Sequence, residues 1–373
     1  MEAASSSSHS VEDKMEHGEF TVSDGTPIFY RRSAGTPGTP LPTLVLIHGW
    51  SGSGRFFDPC IEHLISEGIP LLVPDLRFHG KSGKPAHGMH VARLAADVRE
   101  LMIGLDVRGA VMVGTSMGCA VAWCLHELFG LKASGLAAGC VFVDQAPLQN
   151  RVEGWDLGSN GCYDAATLAA LQATLKRSVA EIAAGNAAGC LSKPVPAETL
   201  ELLTAETMLC DGEQLGTLMA DHTQVVCVRA TETMLCDGEQ LGTLMADHTQ
   251  VVCARATETM LCDGEQLGTL MADHTQAVCV RAAETMLCDG EQLGTLMADH
   301  TQLDHRATLP TIDVPCLSLC GGDSGCFPVE GLRAVARLVP TCNEDVWDGC
   351  NHWLYIEEPR RFAAALLDFA RSL

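Results

Sequence analysis

Ala110-Val111-Met112-Val113-Gly114-Thr115-Ser116-Met117-Gly118 is the stretch on which the reading of this chain turns. Four apolar residues bounded by glycine read as a short buried strand. The G-x-S-x-G that follows reads as a tight strand-to-helix turn that lifts the Ser116 hydroxyl above a sheet. Glycines flank the serine because side chains there would clash in so tight a turn. A glycine-rich turn with a capping serine would spell the same five letters, so the surroundings decide.

Three other strand-like runs end in chemically useful residues. Upstream, Thr43-Leu44-Val45-Leu46-Ile47 runs into His48-Gly49-Trp50. Downstream, Cys316-Leu317-Ser318-Leu319-Cys320 runs into Gly321-Gly322-Asp323, with Pro328 shortly after. Near the C-terminus, Asn351-His352-Trp353 precedes Glu357-Glu358-Pro359 and a helical stretch from Arg360 to Leu373.

Composition narrows the class. The chain has 373 residues, of which 47% are apolar, enough for a sizeable core. It carries 24 basic and 47 acidic side chains, a net charge of −23. So acidic a surface is repelled by nucleic acid and by anionic membranes, so neither is an expected partner, and a small-molecule ligand is. The first residues are serine-rich and then acidic, with no apolar stretch of the kind a secretory signal needs. No run approaches the roughly 18 apolar residues of a membrane span. Residues 1–17 read as a disordered lead. Eighteen cysteines with no C-x-x-C pair, in a long chain without a signal, read as reduced thiols, which gives a cytoplasmic expectation.

The segment ETMLCDGEQLGTLMADHTQ occurs four times, beginning at Glu206, Glu232, Glu258 and Glu284, a period of 26. Three periods taken from 373 residues leave 295, a fitting size for one domain with an insertion. Each full unit carries four acids and one arginine, so three units account for nine of the excess negative charges. Solenoid repeats vary at buried and capping positions; these copies are identical over nineteen residues, which points to recent duplication. In the first copy Asp211 can cap a helix with an apolar face of Leu215, Leu218 and Met219. His222, His248, His274 and His300 read as copied surface residues, and no metal is expected there.

The alternation of strand and helix runs predicts an α/β fold: a mostly parallel, doubly wound sheet with helices on both faces. A hairpin near 20–30 leads in. Strands are expected near 43–47, 71–74, 110–113, 141–143, 316–319 and 344–347. Helices are expected near 56–66, 91–105, 116–129, 329–339 and 358–371. The core then comprises 18–147 and 303–373, and 148–302 is an insertion holding the repeats at 206–302. Active groups are expected at the carboxyl ends of the strands.

Over about residues 20–150 and 303–373 the chain resembles the α/β-hydrolase superfamily, in the esterase, perhydrolase and cofactor-free haloperoxidase group. The order Ser116, Asp323, His352 is the chain order of that superfamily's triad. Further matching segments are Asp75-Leu76-Arg77-Phe78-His79-Gly80-Lys81-Ser82-Gly83-Lys84-Pro85, with Phe78 where glycine is commoner, Val143-Asp144-Gln145-Ala146-Pro147, and His352-Trp353 with Glu358-Pro359. The resemblance implies that 148–302 is a helical lid. It implies Ser116 as nucleophile, His352 as base and Asp323 as the acid orienting the imidazole. Asp144 also ends a strand-like run and is the alternative acid. The backbone N–H groups of Trp50 and Met117 are expected to form the oxyanion hole. His48 and His79 are expected to be structural, and Asp348 a solvated turn residue. The implied reaction is hydrolysis of a small ester, lactone or thioester with no cofactor. A ligand receptor on the same fold, a perhydrolase and a hydroxynitrile lyase remain as alternatives.

Overall fold

The computed structural model describes residues 11–38, 41–210, 212–223 and 303–373. All belong to one unit, Met1–Gln224 with Leu303–Leu373; the copies of the repeat from Val225 to Gln302 lie outside the described residues. Among the described residues the unit is built on one eight-stranded sheet. Its strands are β1 (Glu16–Thr21), β2 (Pro27–Ser33), β3 (Leu44–Ile47), β4 (Leu71–Pro74), β5 (Ala110–Thr115), β6 (Ala137–Val143), β7 (Cys316–Gly321) and β8 (Cys342–Trp347). They lie in the order β1-β2-β4-β3-β5-β6-β7-β8. The β1–β2 hairpin and the β2–β4 pairing are antiparallel, and every pairing from β4 through β8 is parallel.

Parallel strands are buried on both faces, which is why these runs show little polar alternation. Val45 and Ile47 of β3 and Met112 of β5 face one core with α2 (Val91–Gly104), α3 (Met117–Phe129) and α8 (Val329–Leu338). Leu44 and Leu46 of β3 and Val111 and Val113 of β5 face the other with α1 (Asp58–Ser66) and α10 (Pro359–Ser372). Successive strand residues thus serve opposite layers.

One expectation needs correction at the N-terminus. A disordered lead was expected to reach residue 17, yet Val11–Lys14 forms a 3₁₀ turn and β1 begins at Glu16. Met15 explains this: its side chain is only 5% exposed and belongs to the core on the α1 side.

Between β6 and β7 the chain leaves the sheet. The helices α4 (Ala165–Arg177), α5 (Val179–Cys190), α6 (Ala197–Met208) and α7 (Gly212–Thr223) form this excursion. The first copy of the repeat supplies the end of α6 and all of α7. Leu215, Leu218 and Met219 are buried, as their spacing predicts. Asp211, the expected cap, and the His222 side chain lie outside the described residues, as do His248, His274 and His300. A short α9 (Leu354–Glu357) precedes α10.

Candidate active site

Ser116 ends β5 with φ 52° and ψ −124°, a left-handed backbone that only glycine adopts freely. Such a conformation costs on the order of 1–3 kcal/mol and persists only where its surroundings enforce it. Here two close approaches enforce it. A Cβ on Gly118 would lie 2.3 Å from the Ile47 carbonyl oxygen, and one on Gly114 would lie 2.5 Å from that of Gly118. The serine N–H donates to the Val143 carbonyl at 2.9 Å, tying the turn to the end of β6.

At that strand end stands Asp144, also at positive φ (51°) and 1% exposed. Its Oδ1 accepts from the Gly321 N–H at 2.8 Å. Its Oδ2 accepts from the Ser324 hydroxyl at 2.7 Å and meets His352 Nδ1 at 2.5 Å. A buried carboxylate needs such donors, and in the neutral ring a proton on Nδ1 leaves Nε2 as the acceptor. Burial disfavours the imidazolium, but the neighbouring Cys326 sulfur and the Asp144 carboxylate outweigh it and hold His352 up at about 10. Phe327 packs against the ring, with centroids 6.1 Å apart.

The partner of His352 is therefore Asp144, and the expectation that placed Asp323 there is corrected. Asp323 is exposed, and its own N–H donates to the Cys350 carbonyl at 2.9 Å. The Gly-Gly-Asp signal does contribute, through the Gly321 N–H and not through the Asp323 carboxylate. Asp348 is exposed, as read.

Met117 opens α3 directly after Ser116. A Cβ on Gly49 would lie 3.0 Å from Ser116 Cβ, so the His48-Gly49-Trp50 loop runs directly over the serine. That loop is pinned by two neutral histidines. His48 Nε2 accepts from the Leu76 N–H at 2.9 Å, and His79 Nε2 accepts from the Ser51 N–H at 3.2 Å. Burial pushes His48 down to about 4 and His79 to about 3, so each keeps the unprotonated nitrogen it needs as acceptor. Asp75 completes the frame, accepting from the Gly54 and Lys81 N–H groups at 2.8 Å each. Phe78 has φ 71° and no exposure: the backbone there is the one glycine prefers, and burial of the ring offsets the strain.

A family model described as the alpha/beta hydrolase fold matches residues 42–182. The fold is that of the α/β hydrolases. The chain is 40% identical over 101 residues to a non-heme chloroperoxidase of Streptomyces lividans, covering 27% of the chain and 36% of that protein. It is 33% identical over 105 residues to a bifunctional esterase/perhydrolase of Acinetobacter calcoaceticus, covering 27% and 36%. The matches thus span about a third of these relatives' lengths. Among solved structures, an esterase from Exiguobacterium antarcticum superposes with a TM-score of 0.67 at 16% identity, covering 95% of this chain and all of that one. A bromoperoxidase from Bacillus anthracis does so at 0.68, again with 16% identity and 95% and 100% coverage. These two likenesses bear on the fold. No helix among the described residues is long and apolar enough to cross a membrane.

Several residues that shape this site were given no role by the sequence. Ser324 steadies Asp144. Asn351 Oδ1 accepts from the N–H groups of Gly325 and His352, both at 2.7 Å, while its Nδ2 donates to the Gly189 carbonyl at 3.1 Å. It thereby holds the His352 backbone, the β7–α8 loop and the end of α5 together. Glu357 accepts from the N–H groups of Asn351, Ser192 and Lys193 at 2.6, 2.5 and 2.9 Å. Over the loop that follows β3, Glu206 of α6 accepts from the Ser53 hydroxyl at 2.8 Å and from Arg55 at 3.2 Å. Trp50 Nε1 donates to the Leu215 carbonyl at 2.9 Å. The indole thus packs under α7, against Leu168, Leu175 and their neighbours.

Proposed function

We propose that the protein is a serine hydrolase that cleaves a small ester, lactone or thioester through an acyl-enzyme on Ser116. The observation that carries this is the buried Asp144–His352 pair beside a strained serine turn tied to the same strand end. His352 Nε2 takes the Ser116 proton as the hydroxyl attacks the acyl carbonyl, then returns it to the leaving alcohol, thiol or ring oxygen. Asp144 keeps the proton on Nδ1 and stabilises the imidazolium. The N–H groups of Trp50 and Met117 receive the oxyanion, aided by the positive end of α3. Water then attacks the acyl-enzyme with His352 as base.

The named relatives support an ester-like acyl group: one is an esterase/perhydrolase, and an N-acyl homoserine lactonase has the same fold (TM-score 0.61, 17% identity, covering 96% of this chain and 97% of its own). The same acyl-enzyme with peroxide as acceptor in place of water would yield a peracid, the perhydrolase variant of this reading.

A fluorophosphonate probe tests the nucleophile. The wild-type chain is expected to label stoichiometrically and to turn over p-nitrophenyl acetate many times. Ser116→Ala is expected not to label and to lose at least about a thousandfold in kcat/KM. Equal labelling of both proteins would remove Ser116 from the mechanism.

A further inference from the structure

Cys326 lies in the β7–α8 loop, between the Ser324 that steadies Asp144 and the Phe327 that packs on His352. The His352 imidazole is a near neighbour of its sulfur. On its other side is Cys190, the last residue of α5, with the two Sγ atoms 3.6 Å apart. The two backbones are pressed together here. A Cβ on Gly325 would lie 2.4 Å from the Gly189 carbonyl oxygen, and the Trp353 N–H donates to the Cys190 carbonyl at 3.3 Å. Cys190 is buried, 6% exposed, whereas Cys326 is half-buried. Neither thiol has a role in acyl transfer.

We propose that Cys326 and Cys190 form a reversible disulfide site that fastens α5 of the insertion to the catalytic loop and lowers turnover when oxidised. The chemistry needs a peroxide as oxidant. The Cys326 sulfur attacks one peroxide oxygen; the O–O bond breaks, and sulfenic acid and water (or an alcohol) result. The Cys190 thiol then attacks the Cys326 sulfur. The S–S bond forms, the S–O bond breaks, and the hydroxyl leaves as water with the Cys190 proton. Two thiols have lost two electrons and two protons to one peroxide. A dithiol reverses the change by exchange. In the resting state Cys190 and burial hold the Cys326 thiol protonated, against the pull of His352, so sustained oxidant is required.

Closing the bond brings the sulfurs from contact to about 2.05 Å. It draws Cys326 away from the imidazole and staples α5 beside the site. The effect on turnover rests on His352 being the base of the proposed hydrolase; formation of the cross-link does not. Two readouts therefore separate the claims. The full chain is treated with hydrogen peroxide, alkylated under denaturing conditions and digested without reduction. The expected product joins the Cys190 and Cys326 peptides, lighter by two hydrogens and released by dithiothreitol. Esterase turnover is expected to fall by about tenfold, as restricted lid motion can do, and to recover on reduction. Cys190→Ser is expected to keep basal turnover and to lose both the cross-link and the reversible inhibition. Recovery of both cysteines as free, alkylated thiols after peroxide would overturn the proposal. So would equal reversible inhibition of Cys190→Ser. A chain without esterase turnover that still forms the cross-link would fail the hydrolase reading and leave the disulfide site standing.

Discussion

At the ends of β6, β7 and β8, one buried carboxylate collects three donors: the Gly321 N–H, the Ser324 hydroxyl and His352 Nδ1. Over the same site, α6 and α7 are held to the core by Glu206, by Trp50 and by Gln214, whose amide donates to the Pro85 carbonyl at 2.7 Å. The first region is fixed by strand register, by two side-chain donors and by a backbone donor, the Gly321 N–H, that a side-chain change leaves in place. The second depends on a few side chains and on one buried apolar face. The buried Asp144–His352 pair thus sits where the scaffold is rigid, and the helices over it are held by contacts that sequence can vary.

The pH profile probes the rigid region. In the proposed mechanism the neutral imidazole is the base, and His352 is raised from 6.5 to about 10 in the folded chain. The acidic limb of kcat/KM is expected to lie well above pH 6.5, and Asp144→Asn is expected to move it downward by removing the carboxylate that holds the imidazolium. A midpoint at or below 6.5 in both proteins would contradict the described pairing. The sign for stability is the reverse. The pair stabilises the fold fully below pH 6.5, and that contribution is lost as pH climbs through the folded value.

The cover is probed by Glu206→Ala. It leaves Ser53 and Arg55 without this acceptor in a buried setting, and is expected to cost about 1–3 kcal/mol in chemical denaturation. KM is expected to rise a few-fold with kcat little changed. An unchanged midpoint and KM would show that α6 docks by apolar contact alone.

The smallest effect is expected from deleting residues 225–302. Because the four copies are identical over nineteen residues, this deletion gives the same 295-residue chain as removing 206–283. It keeps Glu206, Leu215, Leu218 and Met219 in place. Activity and thermal midpoint are expected to stay within about twofold and a few degrees, as for a change outside the packed unit. Loss of folding would show that the later copies have become structural.

The sequence was most legible where geometry forces a residue type. Gly114 and Gly118 are compelled by carbonyl oxygens within reach of any Cβ, and the apolar runs by burial on both faces of a parallel sheet. It was least legible where two strand ends offer the same side chain. β6 and β7 are neighbours, and each is followed by an aspartate. Nothing in periodicity says which carboxylate turns toward His352. The conformation that aims Asp144, at φ 51°, appears only in three dimensions. Phe78 hid a glycine-like backbone under an apolar side chain. Glu206 entered the sequence reading only as the start of a repeat, because its partners, Ser53 and Arg55, lie about 150 residues away in the chain.

The central claim is that Asp144, and not Asp323, orients the base. Steady-state kcat/KM on one p-nitrophenyl ester, measured side by side for Asp144→Asn and Asp323→Asn, tests it most directly. Asparagine tolerates the left-handed backbone at position 144, so the substitution removes charge with little strain. Asp144→Asn is expected to lose roughly a thousandfold to ten-thousandfold, as when a triad acid leaves its histidine in the wrong tautomer. Asp323→Asn is expected to stay within about threefold of wild type, as for an exposed surface change. A large loss in Asp323→Asn with near-normal activity in Asp144→Asn would contradict the account.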